Sequence, residues 1–134
     1  MPSMYDSRAM VGEFPTTRRR VLIVEDDAVS CQALRALLQR WGFDSCECAT
    51  VAHAFDELHR DIPPCILLDL MMPDASGLEL LKSIRARGLG TRVVVTTAAN
   101  DPRLMREVDE LRPDMLFRKP LDVAKLKRWL VENL

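Results

Sequence analysis

The pattern of apolar and polar positions switches between two periods along most of the chain. Arg20-Val21-Leu22-Ile23-Val24, Cys65-Ile66-Leu67-Leu68 and Arg92-Val93-Val94-Val95-Thr96 are short, nearly continuous apolar runs. Runs of this length and composition are the pattern of strands buried on both faces. Phe43 to Cys48 and Met115-Leu116-Phe117 read as two further short strands. Between these runs the apolar positions recur at helical spacing. Leu34, Leu37, Leu38 and Trp41 mark a helix from about Ala28 that Gly42 stops; Val51, Ala54, Phe55 and Leu58 follow a cap at Thr50. Leu78, Leu81 and Ile84 mark a helix from near Gly77 to near Gly88, and Ser76 with Glu79 three residues on has the spacing of a capping box. Asp101-Pro102 opens a helix carrying Leu104, Met105, Val108 and Leu111, and Asp122 one that packs Val123, Leu126 and Leu130.

Strict strand–helix alternation with apolar strands implies a parallel sheet covered on both faces. The simplest architecture is a single α/β domain, a flavodoxin-like (βα)5 doubly wound fold around a five-stranded parallel sheet. Residues 1–17 lack sustained periodicity and read as a flexible N-terminal tail, which leaves 18–134 as the folded domain. A chain of 134 residues suits one domain with a real core. With 19 basic and 20 acidic residues the net charge is −1, so nothing in the charge balance favours direct nucleic-acid binding. Arg18-Arg19-Arg20 is a solvated strand entry on this reading. No apolar run reaches the roughly 18 residues of a membrane span. The N-terminus lacks the charged and apolar regions of a secretory signal. Cys31, Cys46, Cys48 and Cys65 lie in apolar or periodic segments, and Cys46-Glu47-Cys48 has no second ligand pair for zinc. They read as buried free thiols of a cytoplasmic protein.

Chemistry enters at the carboxyl ends of the strands, where an open α/β sheet keeps its binding crevice. The first strand ends in Glu25-Asp26-Asp27, the third in Asp69, the fourth in Thr97 and the fifth in Lys119. Crowded carboxylates repel unless a cation sits among them, and an oxygen-only donor set with room for water suits Mg²⁺. A lone carboxylate beside a metal, a lysine and a hydroxyl is equipped for attack on a phosphoryl group. The threonine hydroxyl would then bond the phosphoryl oxygen in one state only, as a switch requires. No glycine-rich phosphate loop follows the first strand, which argues against a dinucleotide or P-loop site. Asp27 is open between a share in this crevice and capping of the first helix. His53 and His59, on the second helix, read as surface residues rather than phosphocarriers.

Val24-Glu25-Asp26, Asp69 with Met72-Pro73 and Gly77, Thr97-Ala98, and Lys119-Pro120 stand in order at the strand ends. On these motifs the chain, from Arg20 to Leu134, resembles the receiver domain of two-component response regulators. The resemblance implies that Asp69 accepts a phosphoryl group from a sensor histidine kinase, a histidine phosphotransfer protein or a small phosphodonor. It implies Mg²⁺ bound by Asp26, Asp69 and the backbone carbonyl of Met71, with Glu25 acting through water. Lys119 would pair with the phosphoryl group, Thr97 would move toward it, and Ala98 would leave room for access. The face of the fourth helix, fifth strand and fifth helix would change its protein partners, and a homodimer would form through it. Such a protein is a phosphoacceptor switch, not an enzyme beyond its own phosphoryl transfer and autodephosphorylation.

Two departures stand out. An aromatic residue is common three positions before the lysine, where this chain has Leu116; Phe117 is one residue off and points to the opposite face. An acid is common just before the glycine, where this chain has Ser76. Met71 and Ala99 hold the positions that in the family flank the path of hydrolytic water, and neither side chain can orient it, so slow autodephosphorylation is expected. The alternative function is a pseudo-receiver, the same fold binding proteins without phosphorylation. An aspartate-dependent phosphohydrolase would want a second aspartate at Met71.

Overall fold

The computed structural model describes residues 19–134; the expected tail, residues 1–17, lies outside them. In chain order the elements are β1 (Arg20–Val24), α1 (Ala28–Arg40), β2 (Asp44–Cys48), α2 (Val51–Arg60), β3 (Cys65–Asp69), α3 (Gly77–Ala86), β4 (Arg92–Thr97), α4 (Pro102–Glu110), β5 (Met115–Arg118) and α5 (Val123–Asn133). The strands form one sheet in the order β2-β1-β3-β4-β5, every pairing parallel. This is the doubly wound, flavodoxin-like order expected from the alternation. Among the described residues no helix is long and apolar enough to cross a membrane.

The pleat explains the two cores. Successive side chains of a strand point to opposite faces, so Leu22, Val24, Ile66, Leu68, Val93 and Val95 pack with α2, α3 and α4. Val21, Ile23, Cys65, Leu67, Val94 and Phe117 pack with α1 and α5. All five residues of β3 are buried, as a central parallel strand requires. The edge strand β2 is mostly half-buried, and its Cys46 and Cys48 share the α2-side face. All four thiols are free.

Three helix starts follow the caps read from the sequence, and a fourth, that of α1, falls on Asp27, which the sequence left open. Asp27, Thr50, Asp101 and Asp122 each accept a backbone N–H of the following first turn. Gly42 and Gly88 take positive φ, 90° and 63°, where α1 and α3 end. Two expectations need correction. Ser76 does cap α3, but its hydroxyl accepts the N–H of Leu78, while the Glu79 N–H goes to the Ser76 backbone oxygen, so the cap is a simple one and not a capping box. Val123, the first residue of α5, is exposed at the rim of a cleft and does not pack into the core; Leu126 and Leu130 carry that helix's packing.

Candidate functional site

The crevice is built from the ends of β1, β3 and β5, which the strand order sets near one another at the carboxyl edge of the sheet. Glu25 continues β1: its N–H donates to Cys48 O at 3.0 Å, and its side chain lies inward, 5% exposed. Asp26 turns out to solvent. Asp27 is spent on α1, accepting the backbone N–H of Ser30 at 3.1 Å and its hydroxyl at 2.6 Å. Those two bonds hold its carboxyl below the usual range, which resolves its open role in favour of capping.

Asp69 ends β3 with 4% exposure. Its Oδ1 accepts the Met71 N–H at 2.9 Å, and its Oδ2 accepts from Lys119 Nζ at 3.0 Å. The same ammonium reaches Glu25 Oε1 at 3.2 Å, while Glu25 Oε2 accepts the Asp27 N–H at 3.2 Å. Lys119 is aimed from β5, where its N–H extends the ladder to Thr97 O at 2.9 Å, and the Lys119–Pro120 peptide that follows is cis. Burial works against its charge. The hydrogen bond and charge of Asp69, then those of Glu25, outweigh that and hold its pKa above the ordinary lysine value. Burial, joined by the charge of Asp69, pushes Glu25 up, against the lowering effect of the Asp27 N–H and of Lys119.

Carboxylate oxygens of Glu25, Asp26 and Asp69 all lie within 4.8 Å of one another. With Lys119 the group carries a formal charge of −2, the complement of one divalent cation. The donors are hard oxygens, which fits Mg²⁺ and disfavours softer metals. Among the described residues Asp26 makes no ion pair, whereas Glu25 and Asp69 both pair with Lys119. Met71 follows in the loop with its side chain 58% exposed and its N–H already on Asp69.

Gly77 is demanded by the same geometry. A Cβ there would lie 2.5 Å from the backbone oxygen of Asp69 and 3.0 Å from the Cα of Leu70, so only glycine lets α3 start against the end of β3. Thr97 is fully buried at the end of β4, and its Oγ1 accepts the Ala99 N–H at 2.9 Å. Its neighbour Thr96, on the opposite face, lines a cleft of about 290 Å³ with Glu25, Leu34, Lys119, Leu121 and Val123. A larger cleft, at Ile62–Pro64, Gly90–Arg92 and the end of α5, holds none of the crevice acids and lies at the opposite edge of the sheet. The chemistry, not the volume, locates the site.

Leu116 is half-buried on the α4 side of the sheet, and Phe117 is buried in the other core with Lys125 Nζ 6.0 Å from its ring centre. At this position β5 turns a leucine, not an aromatic ring, toward the α4-side core. The sequence reading missed Asp74, Arg85 and Arg118. Asp74 accepts two N–H groups of α2, Arg85 holds the carbonyls at the end of α4, and Arg118 reaches Ala99 O at 3.3 Å. Each acts across 19 or more residues, beyond any local pattern.

A family model described as the response regulator receiver domain matches residues 21–130. The chain is 27% identical over 108 residues to sporulation initiation phosphotransferase F of Bacillus subtilis, covering 81% of this chain and 87% of that protein. It is 34% identical over 86 residues to the DNA-binding response regulator MtrA of Mycobacterium tuberculosis, covering 64% of this chain but 37% of the longer relative. It spans 30% of the cyclic di-GMP phosphodiesterase of Thermotoga maritima, at 32% identity over 114 residues. Among solved structures, a sensor protein from Polaromonas sp. JS666 superimposes with a TM-score of 0.75 at 29% identity, over 87% of this chain and 95% of that one. A CheY-like receiver domain protein from Methanospirillum hungatei, at 23% identity and a TM-score of 0.77 over 86% and 95% of the two chains, shares the fold. The family match runs from the second residue of β1 into the last turns of α5 and so takes in every strand and helix: the chain belongs to the response regulator receiver domain family of two-component signalling.

Proposed function

We propose that this receiver is a Mg²⁺-dependent phosphoacceptor whose acceptor is Asp69. The observation that carries the reading is the setting of that carboxylate. It is nearly buried, held at both oxygens by Lys119 and the Met71 N–H, and backed by Glu25 and Asp26 within 4.8 Å. Receiver domains accept phosphoryl groups from histidine kinases or phosphotransfer proteins and bind Mg²⁺ at an acidic pocket. Here Asp26, Asp69 and the Met71 carbonyl would hold the ion directly and Glu25 through water; a bound divalent ion supplies charge neutralisation to the phosphoryl oxygens.

One carboxylate oxygen of Asp69 forms the O–P bond as the P–N bond to a donor imidazole breaks, and the leaving imidazole takes up a proton. Lys119, already on Asp69, stays with the added group and offsets its charge. Thr97 Oγ1 accepts from Ala99 and keeps its own proton to donate to a phosphoryl oxygen. A bond that exists only in the phosphorylated state is the differential contact a population shift needs. The output runs through the face of α4, β5 and α5 to a protein partner or a second copy. Autodephosphorylation is slow, because neither Met71 nor Ala99 carries a group that can align water. Free thiols in every described cysteine agree with work in the cytoplasm. The crowded acids weigh against a phosphorylation-independent module, since such a module would carry their repulsion without using it.

The test is mass spectrometry after treatment with acetyl phosphate and Mg²⁺. The wild type should gain one phosphoryl group and Asp69→Ala none. The reading fails if no Asp69-dependent adduct forms.

A further inference from the structure

The loop from Leu70 to Ser76 is closed at its neck, where the Gly77 N–H donates to Leu70 O at 2.9 Å and Met71 bridges to Ser76. Its tip, Pro73 to Ala75, is exposed. From that tip Asp74 reaches across to a different element: Oδ1 accepts the Val51 N–H at 2.9 Å and Oδ2 the Ala52 N–H at 3.0 Å. These are the first two amides of α2, donors that a helix leaves without internal partners. Thr50, the helix's own cap, takes only the third, from His53 at 3.0 Å. Caps are ordinarily local; this one comes from 22 and 23 residues away and belongs to the loop that carries the acceptor.

We propose that Asp74 is a positioning residue for the acceptor loop, and that through its two bonds to α2 the state of the acid crevice and the N-terminus of α2 are coupled. The inference rests on the phosphoacceptor reading of Asp69. Both carboxylate oxygens are used, so the tip is held in position and orientation, and with it the Met71 carbonyl three residues earlier. Met72 also packs against the α2-side core, which keeps the loop near its place if Asp74 is lost. Removing Asp74 therefore loosens the loop without unfolding it. Because coupling is reciprocal, an ion held by the loop steadies Asp74 against α2, and a firm α2 terminus favours the ion.

Mg²⁺ titration of the full chain, followed by backbone amide NMR shifts, tests this with Asp74→Ala, Asp74→Asn and Thr50→Ala, alongside hydrogen exchange at Val51 and Ala52. Groups that support metal ligands from outside typically change metal affinity by 10- to 100-fold. At one further remove, Asp74→Ala should raise the half-saturating Mg²⁺ about tenfold, with the phosphorylation rate at saturating Mg²⁺ within about twofold of wild type. Asp74→Asn, which keeps an acceptor oxygen, should fall between. Thr50→Ala, which weakens α2 without touching the loop, should titrate like wild type. In the wild type Mg²⁺ should slow exchange at Val51 and Ala52. Wild-type Mg²⁺ binding in Asp74→Ala would reduce the residue to a helix cap. An equal loss in Thr50→Ala would assign the effect to α2 stability; either result overturns the proposal. A wild type whose crevice amides ignore Mg²⁺ removes the phosphoacceptor reading, and this one with it.

Discussion

Two residues show how tightly the site is tied to the core. Gly77 has backbone atoms of Asp69 and Leu70 where a side chain would go, and neither can retreat without moving the acceptor. Gly77→Ala should cost about 1–3 kcal/mol, as overpacking usually does. Urea unfolding would measure that loss, and phosphorylation should slow at the same time. Cys65, fully buried at the start of β3, illustrates a titration with no catalytic role. Burial, with the nearby charge of Asp114, pushes its thiol from 9.0 up to about 12. A group whose pKa is raised by folding adds stability that is complete below its unfolded value and is lost as pH rises through the folded one. Wild-type stability should therefore decline with pH above about 9, and Cys65→Val should make that alkaline limb shallower, leaving the share of the other buried thiols, in denaturation series at successive pH values. The placements legible in the sequence were those set by position at a strand end: Glu25, Asp26 and Asp69 converge because β1 and β3 are neighbours, and Lys119 reaches them past β4 from the end of β5. Asp27 was not decidable, since an acid after a strand and before a helix suits both a crevice and a cap.

At the level of elements, strands and caps were legible because both are local. A period of two or of 3.6, or a serine or aspartate before an apolar stripe, is written in a few consecutive residues. The fastening of elements to one another was not. Arg85 of α3 donates to Leu111 O at 2.9 Å and Arg112 O at 2.7 Å, closing the end of α4, and reaches Asp114, whose Oδ2 also accepts the Val93 N–H at 2.7 Å. Arg112, with φ 51°, takes the left-handed conformation that glycine fills at other helix ends, and Arg85 holds its carbonyl there. The far end of α4 is tied more lightly, through its Asp101 cap and the reach of Arg118 to Ala99 and Asn100. The helix is thus anchored at its C-terminus and looser where it meets the Thr97 loop. Arg85→Ala breaks hydrogen bonds from a charged donor and should cost about 1.5–3 kcal/mol. Hydrogen exchange should then rise at Leu111 and Arg112 while the amides of α2 keep their protection.

Over the whole molecule the crevice is a charge imbalance held in place by the core. Three carboxylates and one ammonium leave a net −2 at the sheet edge, and only Asp26 among the acids faces solvent. Without a divalent ion that imbalance is a cost to folding, so the two states of the site should differ in global stability. A ligand that binds only the folded chain stabilises it by RT ln(1 + [L]/Kd), about 2.7 kcal/mol at a hundredfold excess over Kd. Denaturation in Mg²⁺ should show that gain, and EDTA should remove it. Asp26→Asn separates repulsion from binding. Because Asp26 is exposed and screened, removing its charge should stabilise the Mg²⁺-free protein by no more than about 1 kcal/mol. The same change removes a proposed ligand, so stability should cease to respond to Mg²⁺. The two denaturation curves should therefore cross: the variant the more stable in EDTA, the wild type the more stable in saturating Mg²⁺. Parallel curves, with Asp26→Asn gaining as much from Mg²⁺ as the wild type, would place the ion elsewhere and leave Asp26 as a surface acid.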